Sequence, residues 1–154
     1  MNKRLITSKT ELKQLILDCY KTDLPFLVDY HELASDSLSD CVDRTFHDFT
    51  LCNVVINVLE DNNTCFGYFG CLNQNGQNWL TGFFLKPEYR TSEHKRNMWN
   101  IITNHLQHSF KVGMLVKNER ASKFLLKNGC EFSHYEPSLD VLGKIFTYNH
   151  KEIA

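Results

Sequence analysis

The sequence predicts an α/β fold, a mixed sheet with helices on its faces. Three observations predict it. Three β-rich runs, divided by Asn-rich turns, fall between residues 53 and 86, the pattern of an antiparallel meander. The last run leads through Pro87 into an amphipathic helix and then a short apolar run at 112–116, and a strand–helix–strand passage of that length joins parallel strands. Helix-capping spacings precede the apolar stripes near the N-terminus.

Ser8-Lys9-Thr10-Glu11 has the capping-box spacing, and Leu12, Leu15, Ile16 and Cys19 follow at i, i+3, i+4 and i+7. A first helix therefore ends before Pro25. Residues 26–30 are a short apolar piece of either type. Ser35 or Ser37 is placed to cap a second helix that turns Leu38, Val42, Phe46 and Phe49 inward, with Asp40 and Arg44 spaced to pair. Residues 53–60 form a β-branched strand ended by Asp61-Asn62-Asn63, residues 64–72 a second, and Asn75-Gly76 turns the chain into a third at 78–86. In that third strand Leu80, Phe83, Phe84 and Leu85 are apolar on both sides, as in a covered sheet. The helix at 92–110 carries Met98, Ile101, Ile102, His105, Leu106 and Ser109 on one stripe. A helix at 118–127 with Ala121, Phe124 and Leu125 inward is stopped by Asn128-Gly129. Strands at 130–134 and 145–149, joined through Pro137 and Gly143, close the order α-α-β-β-β-α-β-α-β-β.

The 154 residues suit a single domain, 1–154, with a sizeable core. A net charge of −1 argues against general nucleic-acid binding. No apolar run reaches the ~18 residues that span a bilayer, and the first six residues lack the apolar segment of a leader. Six cysteines without a C-x-x-C read as reduced thiols of a cytoplasmic protein. Cys65 and Cys71, an even number apart on a strand, are expected on one face. His105 and His108 lack a third ligand, His31-Glu32 lacks a second His, and no metal site is expected. G-x-S-x-G, Walker A and Rossmann fingerprints are absent.

Three segments carry a family resemblance. Phe84-Leu85-Lys86-Pro87-Glu88-Tyr89-Arg90 looks like a central strand ending in V-x-P-x-[YF]-R, and Cys65-Phe66-Gly67-Tyr68 fits an x-[IV]-G-x segment in the strand before it. The run from Asn118 through Ala121, Phe124, Lys127 and Gly129 to Cys130 looks like N-x-x-A-x-x-[FL]-Y-x-K-x-G-F. In this order they resemble the GNAT family of acetyl-CoA-dependent N-acetyltransferases, over roughly residues 54–148. The resemblance implies a GNAT-like fold, acetyl-CoA as co-substrate and an amine acceptor lying over the first two helices and the hairpin around Asn75. It further implies that Arg90, Thr91, Ser92, Lys95 and Asn118 hold CoA, with Leu85 and Lys86 at the strand end.

The sequence departs from the family pattern at two places. The pyrophosphate turn [QR]-x-x-G-x-[GA] becomes Arg90-Thr91-Ser92-Glu93-His94-Lys95, so Arg90 is kept and the small positions become Glu93 and Lys95. Glu93 opposes a diphosphate, while Lys86, Arg90, His94, Lys95 and Arg96 supply cationic side chains. A plain helix start accounts for the same residues. Leu125 stands where the family's proton-donating Tyr would be, and the central strand has no carboxylate. Glu60, Glu88 and Tyr135 are the remaining candidates, and no catalytic residue is assigned. The C-terminal half is also similar to GNAT-like proteins of short-tailed phages, in its Trp79, its basic helix start and its K-F-L-x-K-x-G ending. That similarity implies an alternative, a non-catalytic GNAT-fold protein acting through a protein partner, in host cytoplasm or virion. Lys117, Arg120, Lys123 and Lys127 form a basic side that suits solvent, a partner or a CoA 3′-phosphate.

Overall fold

The structure, a computed structural model, describes residues 1–23, 37–138 and 141–150. The apolar piece at 26–30, Ser35 and His31-Glu32 lie outside them. Strand β1 (Asn2–Leu5) precedes α1 (Lys9–Tyr20) and α2 (Leu38–Leu51). Then come β2 (Val55–Asp61), β3 (Thr64–Gln74), β4 (Gln77–Leu85), a 3₁₀ turn (Pro87–Tyr89) and α3 (Ser92–Leu106). Strand β5 (Phe110–Leu115), α4 (Glu119–Lys127), β6 (Glu131–Ser138) and β7 (Val141–Tyr148) complete the order. All strands join one seven-stranded sheet, β1-β2-β3-β4-β5-β7-β6. This is the mixed α/β architecture that the periodicity predicts, with one strand added.

The added strand is β1, which pairs antiparallel with β2. Its residues are all exposed, so it carries no alternating pattern to read. Arg4 secures it, its Nε donating to Glu60 at 2.6 Å and its Nη1 to Glu11 at 2.7 Å.

The turns follow local chemistry. Asn62 and Asn63 have φ of 43° and 71°, and Asn75 and Gly76 have φ of 53° and 80°. Both pairs sit between paired strand ends, Asp61–Thr64 and Gln74–Gln77, as two-residue hairpins require. Ser8, Ser37, Thr91 and Asn118 cap α1, α2, α3 and α4 through their side-chain oxygens. Helix α3 ends at Leu106 rather than 110, because Gln107 takes a left-handed φ of 60°. A Gln is a poor sequence marker for that conformation. Pro137 and Gly143 lie inside β6 and β7 rather than between them. β6 is the sheet edge, where a missing N–H is tolerated. Asp40 and Arg44 form no ion pair, whereas Asp43 reaches Lys13 on α1 at 3.2 Å, among the described residues.

The core has two layers. On one face α1 and α2 bury Leu12, Leu15, Ile16, Cys19, Cys41 and Val42 against Ile56, Val58, Tyr68 and Phe84. On the other, α3 and α4 bury Met98, Trp99, Ile102 and Leu125 against Leu59, Phe69, Leu80, Val112 and Phe146. Cys65 packs with the first layer and Cys71 with the second, so the expectation of a shared face fails. The reason is a bulge: Leu59 opposes Gly67 and Glu60 opposes Cys65, which leaves Phe66 unpaired and reverses the alternation. No helix among the described residues is long and apolar enough to cross a membrane.

Candidate functional site

The site begins with a second bulge. Gly70 opposes Gly82 and Cys71 opposes Leu80, leaving Thr81 as the extra residue of β4. Bulges bend a strand and end its pairing. Accordingly β4 meets its parallel neighbour β5 at two positions, Trp79 with Lys111 and Leu80 with Val112. Beyond them the strands part. A cavity of about 250 Å³ opens in the gap, lined by Thr81–Leu85 on one strand and by Val112, Gly113 and Met114 on the other.

The cavity draws side chains from both layers. From the α3 and α4 side come Lys95, Met98, Asn118, Arg120, Ala121 and Phe124. Phe124 forms a firm wall, its ring centroid 5.3 Å from Phe83 and 5.6 Å from Trp99. From the α1 and α2 side come Tyr20, Thr45, Asp48, Phe49, Tyr68 and Phe84. Here three hydroxyls meet in a buried chain: Tyr20 and Tyr68 are 3.0 Å apart, and Thr45 donates to Tyr20 at 3.2 Å. Thr81 Oγ1 is buried and has no hydrogen-bond partner among the described residues.

Among the sequence-predicted cofactor residues, Leu85, Arg90, Lys95 and Asn118 line this cavity, and Lys86, Thr91 and Ser92 do not. Arg90 is engaged by the protein itself. Its Nε donates to the Leu85 carbonyl at 2.8 Å, its Nη1 to Asp23 at 2.7 Å, and its guanidinium lies 5.2 Å from the Phe84 ring centre. Burial lowers its pKa against the pull of Asp23, and a guanidinium in this setting stays charged. Asp23 also receives Arg120 at 3.2 Å, so one carboxylate gathers two arginines at the end of β4. Thr91 Oγ1 accepts from the His94 N–H at 3.2 Å, and Asn118 Oδ1 from the Ala121 N–H at 3.1 Å. Both oxygens are thus helix caps. Ser92 and Glu93 occupy the first turn of α3, where N–H groups have no partner within the helix. Lys86 N donates to the Phe66 carbonyl at 2.9 Å, tying the strand end to β3.

The candidates for acid and base lie elsewhere. Glu60 is held by Arg4 on β2, toward the β1 edge and with β3 between it and β4, and Glu88 is exposed on the 3₁₀ turn. Tyr135 is 55% exposed on edge strand β6, its ring tilted at 59° to that of Phe132, and does not line the cavity. Leu125 is fully buried in the core, and the neighbouring Phe124 takes the cavity wall. Tyr20, Thr45, Asp48, Tyr68 and Thr81 were not legible as site residues. Each carries an ordinary helix or strand signal, and only the splay of β4 and β5 brings them together.

Beside this site the Cys65 Sγ donates to the Gly67 carbonyl at 3.9 Å, and the neighbouring Cys19 thiol and the Lys86 charge hold its pKa below that of an ordinary thiol, while Cys65 and burial raise that of Cys19. Cys65 is therefore expected to react with iodoacetamide at lower pH than an ordinary thiol, read peptide by peptide by mass spectrometry. Cys19→Ser keeps a donor there, whereas Cys19→Ala should move the Cys65 profile upward. Equal profiles in both variants would show that the thiol pair has no such effect.

No protein-family model matches the chain, and no curated protein matches it in sequence. Solved structures do match in shape. An acetyltransferase from Thermus thermophilus aligns with a TM-score of 0.73 at 12% identity, over 97% of this chain and 98% of that one. The PaiA N-acetyltransferase from Thermoplasma acidophilum, in complex with coenzyme A, aligns at 0.67 and 12%, over 97% and 100%. A GNAT-family acetyltransferase from Bacillus cereus aligns at 0.59 and 12%, over 99% and 100%. The fold is that of the GNAT acetyltransferases.

Proposed function

We propose that this chain is an acyl-CoA-dependent N-acetyltransferase, and that its reaction takes place in the gap between β4 and β5. The observation that carries the reading is the gap itself. Past Leu80 the facing edge of β4 has lost its neighbour. Its N–H and C=O groups therefore face a cleft, where an extended, amide-bearing chain such as pantetheine can add to the edge. Leu85 O is the exception, since Arg90 already uses it. The start of α3 stands at the end of β4, and Lys86 and Lys95 flank it with positive charge. The Ser92 and Glu93 N–H groups suit a diphosphate, and the Glu93 carboxylate opposes one. Arg90 contributes by holding the strand end in shape. Asn118 and Arg120 lie on the same side of the cleft.

Acetyl-CoA would supply an activated acyl group. The protein's share is to orient an amine, keep water out and move protons. Asp48 is the one carboxylate among the described lining residues. It stands in for the missing base on the central strand. Positioning supplies much of the remaining acceleration, since two reactants held in line react far faster than free ones.

Acetyl-CoA at about 100 times its Kd is expected to add about 2.7 kcal/mol of stability, a rise of roughly 5–11 °C in melting temperature for a domain of this size. Glu93→Gly is expected to enlarge the shift at fixed ligand, because a carboxylate leaves the diphosphate end. No shift at millimolar acetyl-CoA would sink the proposal.

A second reading has its own support. Leu125 removes the proton donor, Arg90 is engaged internally, and the exposed rings of Phe132 and Tyr135 lie with centroids 4.9 Å apart, tilted at 59°, on edge strand β6. These features suit a GNAT-fold protein that acts through a protein partner, in a phage particle or against a host factor. The same melting experiment separates the two readings.

A further inference from the structure

Two thiols meet where α1 ends over β3. Cys19 is the penultimate residue of α1 and is fully buried. Cys65 is the second residue of β3 and is half-buried. The Phe66 bulge turns Cys65 away from the α3 layer and into the cluster that holds Cys19. One residue further along α1, the Tyr20 hydroxyl lies 3.0 Å from that of Tyr68 on β3, and the Tyr20 ring centre 5.6 Å from that of Phe84. These contacts hold the last turn of α1 against the start of β3, with the Cys19 thiol beside that of Cys65.

The two thiols differ in readiness to react. Lys86, just past β4, favours the thiolate form of both, and Asp18, next to Cys19, opposes it. The neighbouring Cys19 thiol is the largest cause that lowers the Cys65 pKa, to about 7, while Cys65 and burial raise that of Cys19. Near neutral pH Cys65 is thus the nucleophile and Cys19 the protonated reserve, the division between an attacking and a resolving thiol. Cys71 and Cys130 are buried in the other layer, and Cys52 is exposed past the end of α2.

We propose that Cys19 and Cys65 form a reversible disulfide by exchange with a low-molecular-weight disulfide, and that this bond fixes the last turn of α1 on the sheet. The bond forms whether or not the cleft takes acetyl-CoA. The Cys65 thiolate attacks one sulfur of the small disulfide, R–S–S–R, and one R–S⁻ leaves. Cys19 then gives up its proton and attacks the Cys65 sulfur of the mixed disulfide, and the second R–S⁻ leaves. Each R–S⁻ takes up a proton that one cysteine has lost. The protein is oxidised by two electrons, and one R–S–S–R is reduced to two R–SH.

The bond lies one residue before Tyr20, which lines the cleft, and four before Asp23, which gathers Arg90 and Arg120. These residues form one hydrogen-bonded turn. Thr22 Oγ1 donates to the Cys19 carbonyl at 2.6 Å, and the Asp23 N–H donates to the Tyr20 carbonyl at 3.1 Å. Oxidation at Cys19 therefore stiffens the brace at the end of β4 as well.

The test incubates the intact protein with glutathione disulfide at neutral pH and maps every cysteine by peptide mass spectrometry. Exposed Cys52 is first replaced, as Cys52→Ser, so that it does not compete. The protein is expected to lose two hydrogens, to yield a Cys19–Cys65 linked peptide, and to regain the hydrogens in dithiothreitol. Adding Cys19→Ser is expected to stop the reaction at a mixed disulfide, with one glutathione retained on Cys65. Adding Cys65→Ser is expected to abolish both products. Amide hydrogen exchange across residues 20–23 is expected to slow at least about tenfold in the disulfide form. Glutathione retained on Cys65 while Cys19 is present, or a link from Cys19 to Cys41 instead, overturns the proposal. So does an unmodified Cys65 in the Cys19→Ser protein, or equal hydrogen exchange in the two forms. The mapping of the Cys52→Ser protein decides the matter by itself if a further substitution fails to fold.

Discussion

Gly67→Ala is expected to destabilise the protein by about 3 kcal/mol or more. A Cβ at this position would lie 1.8 Å from the Phe84 carbonyl oxygen and 2.8 Å from its carbon. Both atoms are backbone, so no side chain can swing aside. The contact is that close because the Phe66 bulge presses β3 onto the end of β4, where Gly67 opposes Leu85. Relief requires the strands to separate, which would also release the Lys86 N–H from the Phe66 carbonyl. With a urea slope of about 1–3 kcal/mol per molar, the midpoint should fall by about 1 M or more. A midpoint equal to wild type would show that β3 and β4 are not held this tightly. Gly82→Ala is the control, because a Cβ there meets nothing within 4 Å. Failure of Gly67→Ala to fold, with Gly82→Ala folded, supports the same conclusion.

Arg90→Ala is expected to cost roughly 1–3 kcal/mol and to weaken acetyl-CoA binding about tenfold. The substitution strips the Leu85 carbonyl of its donor and leaves Asp23 with Arg120 alone. Arg90 and Asp23 side chains are each 17% exposed, so the pair is screened less than a surface one. Arg90→Lys is expected to rescue little. A single ammonium cannot reach the Leu85 carbonyl and Asp23 together while lying flat on Phe84. Urea unfolding reads the stability, and titration calorimetry of acetyl-CoA reads the binding at a temperature where every variant is folded. Full recovery in Arg90→Lys would show that charge alone matters, as in direct contact with a phosphate. Unchanged stability in Arg90→Ala would show that the fork contributes nothing to the strand end.

The regular elements were legible because their signals are local. Capping serines, Asn-Gly and Asn-Asn turns and the apolar stripes of α1, α2 and α4 each act within a few residues. Elements without such signals were missed or misplaced. Strand β1 is polar throughout and exists because β2 offers it an edge. The end of α3 depends on a Gln held in a left-handed turn. The shared face expected for Cys65 and Cys71 fails because a bulge counts pairing across two strands, and a single strand's sequence does not contain its partner's register.

The candidate site divides in the same way. Leu85, Arg90, Lys95 and Asn118, which the family resemblance singles out, line the cavity. The Asp23 carboxylate that gathers Arg90 and Arg120 was not legible, since it is far from both along the chain. Nor were Tyr20, Thr45, Asp48 and Tyr68, which sit on three different elements. Hydroxyl and carboxylate groups become a site only when something aligns them, and here that is the packing of α1 and α2 over the opened sheet.

By itself, then, the sequence determined the helices, the hairpins, the parallel crossover and the motif positions, because hydrogen bonding and side-chain periodicity over short distances are written in neighbouring residues. The tertiary structure decided where β4 leaves β5, which side of the sheet each thiol faces, and that Arg90 braces the strand end. Each of these depends on register and contact between segments far apart in the chain, and such contacts carry no local periodicity.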